Sequence, residues 1–170
     1  MVMRSLARRA MRKAGFEKIH HPSVVDLMCH EGIATVIDVG ANEGHYGVDL
    51  RERGFAGRIV SFEPIPSVYR LLAARAAADP TWEAHQLGVG DEEGELPISV
   101  SAATVFSSFK PPTGYTRDKF EGAKEARRET VPVVRLDRFL ADRPELLGDC
   151  FLKVDTQGFE REVLEGGAIC

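Results

Sequence analysis

Three acidic residues stand where short apolar runs end: Asp38 in VIDVG, Glu63 in SFEP and Asp155 in LKVD. In an open parallel sheet, ligands bind beyond the carboxyl ends of the strands, where strand order reverses. One acidic strand end is commonplace. Three of them, the first followed by a glycine turn, point to a ligand site. That turn is Asp38-Val-Gly40-Ala-Asn-Glu-Gly44, whose glycines let the backbone approach a ligand and open a helix with its N–H groups toward the site.

A dinucleotide fingerprint would place G-x-G-x-x-G here. Instead Asp38 takes the first glycine's place and the glycines follow as G-x-x-x-G. A carboxylate at that point repels a pyrophosphate, so NAD(P) fits poorly, and a nicotinamide-dependent oxidoreductase is the weakest of the enzymatic readings. The position suits a ligand with a cationic end and no phosphate, such as S-adenosylmethionine with its amino group and sulfonium. Glu63 lies 25 residues after Asp38. An acid that far along a βαβ unit reaches both hydroxyls of an unphosphorylated ribose.

These residues need strands and helices to hold them, and the chain supplies the alternation. Residues 35–39 form an apolar strand, 46–54 a helix ending at Gly54, and 58–62 a second strand closed by Glu63-Pro64. Residues 67–79 predict a helix with Ser67 as cap and Pro80 beyond its end. A third strand is expected over 82–89 and an additional one over 96–101. Residues 102–130 predict a long loop carrying one charged helix at 117–129. Residues 131–136 are extended, with Pro132 suited to an edge position. A helix over 137–147, a strand over 151–155 and a helix from Phe159 complete the pattern. Such alternation predicts a parallel, doubly wound α/β sheet.

At 170 residues and 18.7 kDa, with 44% hydrophobic and 28% charged residues, the chain holds one domain with enough apolar material for a core. Its mean hydropathy is -0.17 and no apolar run reaches the ~20 residues of a membrane span, which excludes a transmembrane reading. The start lacks an apolar h-region, so a secretory signal is not expected and the location predicted is cytoplasmic. A net charge of -4 argues against nucleic acid as partner. Cys29, Cys150 and Cys170 lie far apart and read as reduced thiols. His20 and His21 are adjacent, which is wrong for two ligands on one helix face, and no metal is expected. Residues 1–18 carry six basic side chains against Glu17, with apolar residues at helical spacing. They predict a short basic amphipathic helix, either packed on the domain or in weak contact with a membrane surface. The expected organisation is a lead-in over 1–33 and a ligand-binding domain over 34–170.

VIDVGANEG, RIVSFEP, LGVGDEEG, the pair Ser107-Ser108 and FLKVDTQGFEREVLEGG, in that order, resemble the FkbM family of S-adenosylmethionine-dependent methyltransferases. The resemblance implies a class I methyltransferase (Rossmann-like) fold and O-methylation of sugar or secondary-metabolite hydroxyls. It implies that Asp38, Gly40, Ala41, Asn42 and Gly44 surround the methionine part, and that Glu63 holds the ribose with Pro64 shaping the turn. Gln86, Leu87 and Asp91 then border the adenine, and Asp155 faces the transferred methyl. The family pattern often carries an acid where this chain has Gln157.

Methyl transfer from a sulfonium is an in-line displacement with a neutral leaving group, so the protein chiefly orients the acceptor and excludes water. A hydroxyl acceptor must lose a proton, for which Asp155 is the first candidate base and His45 the second. Lys153 and Glu160 read as a structural pair. The resemblance also implies strand order 3-2-1-4-5-7-6, of which only the first four strands are expected here, so the sheet reads as truncated. A non-catalytic cofactor- or partner-binding module is the alternative that this truncation suggests.

Overall fold

A computed structural model of the chain describes residues 23–101, 109 and 125–167. The basic helix expected over 1–18, the serine pair at 107–108 and residues 117–124 of the expected charged helix lie outside the described residues.

The described chain is an α/β structure around a four-stranded parallel sheet. In chain order it runs α1 (Val24–His30), β1 (Thr35–Val39), α2 (His45–Glu52), β2 (Arg58–Phe62) and α3 (Pro66–Ala76). Then come β3 (Trp82–His85), β4 (Gly88–Val89), β5 (Gly94–Ser101), β6 (Glu125–Val134), α4 (Leu136–Ala141), β7 (Cys150–Val154) and α5 (Glu160–Gly166). The sheet order is β3-β2-β1-β7, which matches the first four strands of the order implied by the resemblance. All five residues of β1 are buried, whereas those of β7, at the sheet edge, are half-buried.

Alternation along the strands builds two apolar layers. Val36 and Ile59 face one side, where Leu50 of α2, Leu72 of α3 and Val25 and Met28 of α1 cover them. The lead-in helix thus shares the core of the main domain. Ile37, Val39, Val60 and Phe62 face the other side, under Leu136 and Leu140 of α4 and Val163 of α5. Helices on both faces of a parallel sheet are what its hydrophobic central strands require. Trp82 closes the first layer, with its indole N–H donating to Ser61 Oγ at 3.0 Å, so the buried ring carries no unsatisfied donor.

The sequence expectation fails where pairing is long-range. The strand foreseen over 82–89 is two strands, because Gln86 and Leu87 break the run and β4 leaves the main sheet. β4, β6 and β5 form a separate three-stranded sheet in that order. Residues 125–129, foreseen as helix, are the start of β6, which pairs antiparallel with β5 from Gly94↔Val133 to Ser101↔Glu125. Pro132 sits in a central strand and not at an edge. It is tolerated because β4 pairs only with Val133 and Val134, leaving one side of β6 unladdered at Pro132. Nor is Ser67 the cap of α3: Ile65 is its N-cap, with Pro66 in the first turn. The helix expected over 137–147 ends at Ala141 and resumes as a short 3-10 turn, Pro144–Leu146.

Candidate functional site

The carboxyl ends of β1, β2 and β7 open onto one cleft, roofed by the second sheet. Gly40, Asn42, Glu63, Pro64, Leu87 and Asp155 line it. Of the other residues expected at the site, Asp38 and Ala41 are buried behind it, and Gly44 caps α2 against Trp82 and Leu72. Gln86 is exposed, and the Asp91 carbonyl accepts from Arg135 at 2.5 Å beside α5. His45 is exposed next to Arg75 and Glu43, away from the cleft lining.

Two glycines of the first turn answer to the protein itself. Gly40 has φ 73° and a β-carbon there would lie 2.1 Å from the Asp155 carbonyl oxygen. The turn therefore runs hard against the end of β7, and the Asp155 N–H donates to the Val39 carbonyl at 3.0 Å. Gly44, at φ 86°, has Leu72 at 2.8 Å from the same virtual position. At the β-carbon position both glycines meet the protein's own atoms, so close packing by itself requires glycine at each.

Asp38 is fully buried, and its strand partner across the β1–β7 pairing is Lys153. Residues in register on adjacent strands share a sheet face, so the two side chains meet. Lys153 Nζ lies 2.9 Å from Asp38 Oδ1, donates to the Gly40 carbonyl at 3.0 Å and sits 5.6 Å from the Tyr46 ring centroid. Burial pushes the Asp38 carboxyl above its ordinary range, and the Lys153 charge opposes that push. The expected Lys153–Glu160 pair does not form: Glu160 instead accepts from the Thr156 and Gly158 amides.

Glu63 is 5% exposed. Its Oε2 accepts the Asn42 N–H at 3.0 Å and its Oε1 the Ile65 N–H at 2.9 Å, tying the turn after β1 to the turn after β2. Desolvation raises its pKa to about 7, against the lowering effect of those two amides. An ionised carboxylate has about four lone-pair sites, so one acceptor position per oxygen stays available toward the cleft. Beside the polar Thr156 and Gln157 at its mouth, the cleft has an apolar wall of Phe62, Ile65, Val89, Ile98 and Phe109. Sequence reasoning missed this wall. Phe109 rests 4.8 Å, ring to ring, on Phe159, and its only signal was an aromatic following the serine pair.

The cleft's electrostatics are one-sided. Among the described residues lining it, Glu63 and Asp155 are acidic and none is basic. Such a wall favours a cationic ligand over a phosphate-bearing one. Among the described residues there is also no cluster of three His, Cys, Asp or Glu able to hold a metal ion, and no helix long and apolar enough to cross a membrane.

Residues 38–169 match the methyltransferase FkbM domain family. Among curated proteins, the chain is 27% identical over 142 residues to Methyltransferase 1 of Beauveria bassiana (strain ARSEF 2860), with 77% of this chain and 57% of that protein covered. It is 25% identical over 153 residues to Methyltransferase sdnD of Sordaria araneosa, covering 77% of this chain and 59% of the relative. The chain thus spans under two thirds of the length of these relatives. No solved structure matches it.

Proposed function

This chain belongs to the FkbM methyltransferase family, and from that premise we propose that it carries an S-adenosylmethionine site and takes part in O-methylation of a sugar or secondary-metabolite hydroxyl. The observation that carries the cofactor assignment is Glu63: a buried strand-end carboxylate facing the cleft with one unused acceptor site per oxygen. That pair of acceptors fits the two donating hydroxyls of an unphosphorylated ribose. The absence of basic residues among the described lining fits a ligand with a sulfonium and an ammonium and no phosphate.

When bound, S-adenosylmethionine supplies an electrophilic methyl group and a neutral thioether leaving group. The residues of this chain have the remaining tasks. Glu63 accepts the two ribose hydroxyls. Gly40 and Asn42 border the methionine part, with Asp38 and Lys153 fixing the turn from beneath. Phe62, Ile65, Leu87 and Val89 exclude water from the base end, which strengthens every polar contact inside. Pro64 shapes the turn after β2, while Gln86 and Asp91 stand outside the lining and keep at most a bordering role. Asp155, exposed at the mouth, would hold at its carboxylate the proton that an acceptor hydroxyl gives up.

Proton linkage tests the Glu63 assignment. Hydroxyl donors favour the ionised carboxylate, and in the free protein Glu63 is half protonated at about pH 7. Binding therefore releases a proton below that pH, and affinity falls as pH falls. The dissociation constant is expected to rise about tenfold from pH 8 to pH 6. The other charged groups facing Glu63 are Asp38 and Lys153. Calorimetric titration of wild type and Glu63→Gln across this range checks the point, because the slope should vanish in the variant. An affinity independent of pH in wild type would remove Glu63 from the cofactor site.

A further inference from the structure

Gly88 opens β4 and Gly90 follows it, two residues apart. Alternate residues of an extended chain point to one face, so these glycines leave that face bare. Neither has a positive φ, and the backbone therefore does not require them. Two phenyl rings do. A β-carbon at Gly88 would lie 2.7 Å from Phe109 Cζ, and one at Gly90 would lie 3.0 Å from Phe159 Cε1. The rings sit 4.8 Å apart, tilted by 42°, within the range of favourable aromatic pairs. Phe159 is buried at the N-cap of α5. Phe109 is half-buried, packs against the cluster of Ile65, Ile98 and Val131, and lines the cleft.

We propose that Phe109 is a binding residue for the cofactor's base: its ring, backed by Phe159 and seated over Gly88, is the surface on which the adenine stacks. This deepens the S-adenosylmethionine reading of Glu63 and rests on it. A base is bonded directly to its ribose, so a ribose on Glu63 sets the base beside Ile65, whose N–H Glu63 accepts. Ile65 belongs to the cluster that Phe109 packs against. Among the described residues lining the cleft, the aromatic ones are Phe62 and Phe109. Phe62 is 1% exposed, with its ring enclosed by His85 at 5.5 Å and Phe139 at 4.8 Å, which leaves Phe109 to meet a planar ligand. Gln86 and Asp91, expected to border the adenine, stand outside the lining, and the second sheet supplies the contact in their place. A ring held between two neighbours has little freedom left to lose on binding, so stacking on it costs little ordering.

The test titrates the full chain with S-adenosylhomocysteine in wild type, Phe109→Leu and Phe109→Trp. Leucine keeps an apolar side chain over Gly88 and removes the ring, so its Tm should stay within ~4 °C of wild type. Loss of base stacking is expected to weaken its binding about tenfold by calorimetry. Phe109→Trp restores a ring and should bind within about threefold of wild type. Its fluorescence should change on binding, with the calorimetric midpoint. Trp82 is buried in the opposite apolar layer on Ser61, and wild-type emission supplies that background. A purely structural Phe109 would shift Tm and leave affinity and emission unmoved. Phe109→Leu binding within about twofold of wild type, or a silent tryptophan in a variant that binds, would overturn the stacking role alone. No heat from folded wild type would sink the cofactor reading itself, and the stacking role with it.

Discussion

Glu63→Ala is expected to weaken S-adenosylmethionine binding at least ~100-fold while leaving a folded chain. The proposed diol contact comprises two hydrogen bonds to a charged acceptor in a desolvated wall. Each such bond contributes about 1.5–3 kcal/mol, and every 1.4 kcal/mol is a factor of about ten in affinity. The same side chain bonds the amides of Asn42 and Ile65. Alanine frees both, so the turn after β1 also loses its tie to the turn after β2. Stability moves less than affinity. The lost amide bonds are offset by removing a carboxylate that burial already raises to about 7. Circular dichroism should therefore report an intact fold in the sample whose calorimetric titration is flat. An affinity within threefold of wild type would show that the strand-end acid does not hold the ribose.

Gly40→Ala is expected to damage the structure severely. Two separate penalties coincide at this position. A left-handed backbone costs an L-residue about 1–2 kcal/mol, and here φ is 73°. The added β-carbon would also meet the Asp155 carbonyl oxygen at 2.1 Å, a backbone atom with no rotamer to escape into. β1 and β7 must part at their carboxyl ends, which breaks the Asp155 N–H bond to Val39 and shifts the Lys153 ammonium off the Gly40 carbonyl. Together these effects amount to about 4 kcal/mol or more, a Tm lowered by roughly 10 °C, and a displaced Asp155. Thermal unfolding measures the first consequence and cofactor titration the second. A Tm within ~2 °C of wild type would mean that the turn is looser than its packing implies.

How much of this was legible in the residues depends on how local each feature is. The runs Thr35–Val39 and Arg58–Phe62 are hydrophobic on both faces, as buried parallel strands must be, so β1 and β2 and the acids ending them could be read directly. Cys150–Val154 carried the same signal and led to Asp155. The β5–β6 pairing could not be read, because Arg127, Arg128 and Glu129 look like a charged helix until β5 supplies a partner from some thirty residues earlier. Lys153 shows the same limit on a smaller scale. Glu160, expected as its pair, was not its partner; Asp38 was, through a register visible only once β1 and β7 are aligned. Glycines 40 and 44 were expected to face a ligand; what a β-carbon would meet there is a carbonyl and two core side chains. The acid at the end of a strand is written in the sequence; what stands opposite it is a property of the fold.

The most direct test of the central claim is calorimetric titration of the full, folded chain with S-adenosylmethionine and, separately, S-adenosylhomocysteine. A cleft with an apolar wall and no basic residue in its described lining, with Glu63 for the ribose, predicts binding of both at micromolar levels, about -8 kcal/mol. No heat from either ligand, in a sample shown to be folded, would contradict the assignment of this cleft as a methyl-donor site.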